Sequence, residues 1–272
     1  MSRQKLGTAY LLIGLSTALL CSNTTYAESK EACDALFVGM SKVENKENCG
    51  FIGAGLIGYK SPFTNDTEAN LIPFTTVVWE SFYIDGAEAG LLFWDNVSLS
   101  GYYLATAFVR LASDGYSVDD EPQLIGLKDT DEVVEAGVKF NWGSKWGEIQ
   151  VSVAHDISSE HESFVADIGY VYGWQISDIT VALSLSAAFQ SSDAANYYYG
   201  VNADQVLENR PLYESGSLVN LSAGYFVDKP INNYWHIIHF AQFTRYSDDV
   251  KDSPLTVNDN GLSAGLGVTY AF

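Results

Sequence analysis

Four histidines, His155, His161, His236 and His239, carry the chain's capacity for acid–base or metal chemistry. His155 stands beside Asp156 and close to Ser158 and Ser159. A base, a carboxylate and a hydroxyl serve nucleophilic catalysis when they lie within hydrogen-bond reach of one another. Neighbouring residues of a strand point to opposite faces, so His155 and Asp156 cannot pair if this stretch is extended. His236 and His239, three apart, are split between faces in the same way and offer no joint metal site. No Cys-x-x-Cys and no phosphate-cradling glycine loop opening a helix is present. The acidic runs at Asp114, Asp119, Asp120 and Glu121, at Asp129, Asp131 and Glu132, and at Asp248, Asp249 and Asp252 lack the spacing and glycine of a calcium loop. The residues therefore predict no catalytic set, no cofactor and no metal site, and the chain reads as something other than an enzyme.

What these residues sit on is set by the two ends of the chain. Arg3 and Lys5 precede an apolar run over residues 6–20, and Thr25-Tyr26-Ala27 supplies a small-x-small site. This is the pattern of a secretory signal peptide cut after Ala27, which sends the chain through the Sec pathway. The apolar run falls short of the ~20 residues that a membrane-spanning helix needs. A lipoprotein at Cys21 is disfavoured by the large Leu20 before it. At the other end, GLSAGLGVTYAF alternates without a break: Leu262, Ala264, Leu266, Val268, Tyr270 and Phe272 share one face, with small or mildly polar residues on the other. Gly267, Tyr270 and Phe272 resemble the terminal signal by which the barrel assembly machinery recognises outer-membrane β-barrels.

Mean hydropathy is +0.01 while aromatic residues make up 14 % of the chain, a balance that suits alternating strands with aromatic girdles. The signal peptide holds two of the fourteen basic residues and no acidic one, so the mature chain, with 12 basic against 34 acidic residues, carries a net charge of −22. Such acidity disfavours nucleic acid and bare anionic headgroups as partners. A secreted sandwich or jelly roll shares the composition, but not the aromatic terminal strand.

Alternation gives strands over residues 50–59, 72–84, 87–94, 97–111, 133–142, 146–156, 163–173, 179–190, 218–227, 234–246 and 261–272. Eleven is odd, and single-chain bacterial barrels have even numbers. The missing crossing comes either from residues 72–84 dividing at Trp79-Glu80 or from residues 35–40. The expectation is an all-β fold, a transmembrane antiparallel up-and-down β-barrel of about twelve strands, with ten or fourteen as alternatives. Residues 1–27 are the signal peptide, 28–49 an acidic N-terminal segment and 50–272 the barrel. Short joints at 95–96, 143–145, 174–178 and 228–233 read as periplasmic turns, and long joints at 112–131, 191–216 and 247–260 as outer loops. Arg110, Glu135, Lys139, Asp156 and Asp167 fall opposite the oily faces, as lumen charges. Mixed signs inside a narrow barrel suit an internal ion-pair plug better than a wide channel. Cys33 and Cys49, the two cysteines left after cleavage, are candidates for a disulfide in an oxidising compartment.

The stretches Leu124-Ile125-Gly126-Leu127-Lys128-Asp129-Thr130-Asp131 leading to Glu135-Ala136-Gly137, Tyr198-Tyr199-Gly200-Val201, Tyr246-Ser247-Asp248-Asp249 with Asp252-Ser253-Pro254-Leu255, and Gly261-Leu262-Ser263-Ala264-Gly265-Leu266-Gly267 resemble the MipA/OmpV family of outer-membrane proteins in content, order and spacing. The resemblance covers the chain from about residue 50 and does not extend to segment 28–49. It implies a barrel that scaffolds murein-remodelling enzymes, with a lytic transglycosylase and a penicillin-binding protein as partners. It brings no catalytic motif. The surroundings expected of such a barrel are outer-membrane lipid and lipopolysaccharide. A small porin-like channel and a surface receptor or adhesin remain the alternatives.

Overall fold

The computed structural model describes residues 49–98, 101–112, 115–118 and 121–272. The signal peptide, most of segment 28–49, and Cys33 lie outside them. The described strands form one closed antiparallel barrel, each pairing with its neighbours in sequence and the last with the first. They are β1 (Cys49–Lys60), β2 (Glu68–Trp79), β3 (Phe82–Asp85), β4 (Glu88–Ser98), β5 (Gly101–Leu111), β6 (Val134–Ser144), β7 (Gly147–Asp156), β8 (Phe164–Ile176), β9 (Ile179–Gln190), β10 (Leu218–Pro230), β11 (Trp235–Arg245) and β12 (Asn260–Ala271). The expected twelve strands are present. The twelfth arises where residues 72–84 divide, with Glu80 in a left-handed conformation at the turn between β2 and β3.

The wall is built by alternation. Along β12 every second side chain, from Leu262 to Val268, faces outward, while Gly261, Ser263, Gly265, Gly267 and Thr269 are buried inside. The inner glycines make room: a Cβ at Gly267 would overlap the Phe74 ring, and one at Gly265 the Phe240 ring. Those two rings meet edge to face at 6.1 Å and join Ile57, Ile72, Ala182, Phe226 and Ile238 in an apolar cluster that fills one side of the lumen. Phe272 closes the seam, its N–H donating to the Gly50 carbonyl at 3.0 Å and its carbonyl accepting from the Gly50 N–H at 3.2 Å.

Three turns lie elsewhere than alternation alone places them. Asp95 and Asn96 are inside β4, paired with Leu104 and Tyr103, because a bulge between Leu92 and Trp94 shifts the register. Phe93 and Trp94 consequently both face out, which imitates a strand end. Gly143 and Ser144 complete β6, and the turn is Lys145-Trp146; Gly143 is small because the Tyr102 ring lies where its Cβ would be. Asp228, Lys229 and Pro230 extend β10, and the turn is at residues 231–234, where Asn232 Oδ1 accepts from the N–H groups of Tyr234 and Trp235.

All long connections leave one rim. They fold over it around α1 (Ser192–Tyr199) and α2 (Asp248–Lys251). Phe63, Tyr116, Leu124, Leu127, Val133, Tyr198, Tyr199, Val201, Val250 and Leu255, drawn from four connections, form a core of their own. Residues that read as polar loops therefore make a packed cap.

Candidate functional site

The polar half of the lumen lies on β3 to β8. Arg110 on β5 donates through Nε to Glu135 of β6 at 2.7 Å and through Nη2 to Asp167 of β8 at 3.2 Å. Ser152 Oγ also donates to Asp167, at 3.1 Å. Lower in the wall, Lys139 Nζ lies 2.5 Å from Glu88 Oε1, which also accepts from Tyr83 at 2.6 Å. Its ammonium sits over the Phe108 ring, 5.2 Å from the centroid. Nearer the short-turn rim, Glu148 takes hydrogen bonds from Tyr102 and from Asn141 Nδ2. Arg110, Lys139, Glu88 and Glu135 are all buried. Charges in a low-dielectric interior persist only when paired and hydrogen-bonded, and here each cation is locked to a carboxylate on another strand, one to three strands away. With the apolar cluster opposite and the cap above, packed side chains crowd the lumen.

Of the residues expected as lumen charges, Arg110, Glu135, Lys139 and Asp167 meet in this network. Asp156 does not. At the end of β7 its carboxylate accepts from Ser158 N and Oγ, His161 N and Glu162 N, at 2.6 to 3.0 Å, and so folds the loop that follows. Glu88, Glu148 and Asp85 complete the acidic side and were not among the expected residues. Glu88 stands at the start of the strand read over residues 87–94, directly after a turn; its alternation with Gly90 is the signal that places it inward.

The histidines are dispersed. His155 faces outward, its Nδ1 against its neighbour's backbone carbonyl at 2.7 Å. His161 is buried beneath Tyr197 and Tyr198, 4.0 Å from Asp156, and neither ring nitrogen has a hydrogen-bond partner. Burial pushes it below the ordinary histidine value, Asp156 opposing weakly. His236 pairs with Asp228 at 3.0 Å and His239 stacks on Tyr225. Among the described residues no cluster of three or more His, Cys, Asp or Glu side chains could hold a metal ion.

Outside, the wall is apolar, and aromatics gather towards the short-turn rim. Trp94, Phe140, Tyr103 and Trp142 stack in a row with centroids 6.2 to 6.4 Å apart. Trp146 stands exposed in its turn beneath the Lys145 ammonium, and Tyr234, Trp235 and Tyr270 cluster at the turn over residues 231–234. Such rings belong at a membrane–water interface.

A closed, outwardly apolar, girdled barrel defines an integral β-barrel of the bacterial outer membrane. Residues 52–272 match the family described as MltA-interacting protein MipA, and the chain belongs to that family. The MltA-interacting protein of Escherichia coli K12 is 24 % identical over 249 residues, covering 88 % of this chain and 95 % of that one. Outer membrane protein Omp26La of Vibrio anguillarum and OmpV of Vibrio cholerae are each 26 % identical over 157 residues, 58 % of this chain, and the chain spans 61 % of their length. Among solved structures, Pseudomonas putida OprB aligns with a TM-score of 0.40 at 10 % identity, covering 88 % of this chain and 97 % of that one.

Proposed function

We propose that this barrel is a membrane-fixed scaffold for murein-remodelling enzymes, holding a lytic transglycosylase, and with it a penicillin-binding protein, at the short-turn rim. The observation that carries the reading is the crowded lumen. A barrel whose interior is taken up by locked ion pairs and packed rings, beneath a cap with its own core, has its rims and flanks left to work with. The name of the Escherichia coli relative points to a murein enzyme as the partner. Bacterial barrels turn their short connections to the periplasm, where such enzymes act, and there Lys145-Trp146 and residues 231–234 present exposed side chains. β1 opens on the same rim at Cys49, the last residue of segment 28–49. Replacing the turns at 145–146 and 231–234, or segment 28–48, is expected to abolish cross-linked co-purification of a transglycosylase while the barrel keeps its heat-modifiable mobility. Undiminished co-purification by all three variants would contradict the scaffold reading.

A further inference from the structure

The shortness of β3 leaves two stretches of sheet edge. β3 pairs only with residues 76–79 of β2 and residues 88–91 of β4. The Leu92 N–H still donates to the Ser81 carbonyl at 2.7 Å, and the Thr75 carbonyl still accepts from Gly86. Beyond them, residues 68–74 of β2 and 93–98 of β4 have no ladder partner on their β3 sides among the described residues. The β2 stretch carries Pro73, which has no N–H to offer a further strand. The β4 stretch stays paired to β5 on its other side down to Ser98, and it holds neither proline nor lysine, the residues that blunt an open edge. Phe93 and Trp94 are exposed at its upper end, and Trp94 stands in the stacked aromatic row. From there the strand runs on past the girdle towards the water side of the short-turn rim.

An open edge is a template for a further strand. The barrel closes through β1 to β12 without residues 35–40, Ala35-Leu36-Phe37-Val38-Gly39-Met40, the other stretch whose sequence reads as a crossing and which lies outside the described residues. Those six residues carry no charge and match the free edge in length. The segment they belong to also ends beside that edge. Cys49 pairs with Val78, Val78 with Tyr83 and Tyr83 with Gly90, so β1 begins level with Gly90, just above Phe93. A strand in line with β3 stands two strand spacings from β1, which puts its upper end about 20 Å from Cys49 at ~4.8 Å per spacing and ~3.3 Å per residue. The chain from Met40 to Cys49 reaches about 30 Å when extended. An antiparallel strand with Met40 uppermost is therefore within easy reach, whereas a parallel one, with Met40 beside Ser98, needs the connection drawn almost straight.

We propose that residues 35–40 add to the free edge of β4 as an antiparallel strand in line with β3, hydrogen-bonding to residues 93–98 and closing the gap below the turn at Glu80-Ser81. The pairing carries Cys33 to the lower end of the edge, away from Cys49, so the two thiols stay unbridged. Amide hydrogen exchange tests it in the folded chain from residue 28 onward, in nanodiscs holding one copy each so that a second copy cannot cover the edge. The test reads the backbone of this chain alone and stands apart from the scaffold reading. The expected result is slow exchange throughout residues 93–98, including the amides that point away from β5. Of two adjacent strand residues one turns its N–H to the neighbouring strand, so Phe37→Pro combined with Val38→Pro removes a ladder bond in either register. In that variant the amides pointing away from β5 should exchange at least tenfold faster, while heat-modifiable mobility stays that of the parent, because neither residue belongs to the barrel. Fast exchange of those amides in the parent, slow exchange that survives the double proline variant, or a Cys33–Cys49 disulfide in the unreduced protein would each overturn the proposal.

Discussion

At the scale of residues, the polar lumen is a matter of who is left alone when a partner goes. Lys139 is the cation bonded to buried Glu88. Lys139→Met strands that carboxylate and is expected to cost about 3–5 kcal/mol, whereas Lys139→Met with Glu88→Met removes both charges and should recover most of the loss. Guanidinium unfolding followed by heat-modifiable mobility measures both; a single variant as stable as the parent would show the pair to be idle. His161 gives the pH dependence. The folded chain holds its ring neutral by burial, while the unfolded chain takes up a proton near the ordinary value of 6.5. The group's contribution is therefore full above that pH and is lost as pH falls through it towards the depressed folded value. The denaturation midpoint should drop between pH 7.5 and pH 5, and the drop should shrink in His161→Phe. Equal drops would place the acid sensitivity elsewhere.

At the scale of elements, the seam between β1 and β12 couples assembly to closure. Phe272 gives its backbone to Gly50 and leaves its ring half exposed on the outside. Phe272→Asp keeps the seam hydrogen bonds but removes the aromatic end, so the amount of folded protein in the membrane should fall while the folded fraction keeps normal stability. Wild-type amounts of the heat-modifiable band would refute an assembly role for the terminal ring. Most strands were legible because their two faces meet different solvents, lipid and packed interior, and period-two alternation records that difference. β3 was legible only as one of two possible sources of the twelfth strand, since four residues carry little alternation and the dividing turn at Trp79-Glu80 lacks glycine or proline. The β4 bulge hid the true turn by placing Phe93 and Trp94 on one face. The cap was illegible for a different reason: its core gathers scattered residues from four separate connections, and no period links them.

At the scale of the whole molecule, position along the barrel divides the labour. The long-loop rim is sealed by a packed cap, the lumen holds one apolar and one ion-paired half, and the short-turn rim carries aromatics suited to an interface. Family membership and the outer-membrane setting follow from the match over residues 52–272 and from the barrel itself. Sequence alternation showed that Arg110, Glu135, Lys139 and Asp167 point inward, but which carboxylate holds which cation depends on strand register, and Glu88 enters the network through Lys139, two strands away. That the lumen is shut is the claim on which the functional reading rests. Recording from the folded full chain in planar bilayers tests it most directly. A crowded, capped lumen predicts a quiet membrane with no reproducible single-channel steps, in the parent protein and in the rim-turn variants alike; stable steps whose ion selectivity shifts on neutralising Lys139 or Asp167 would contradict it.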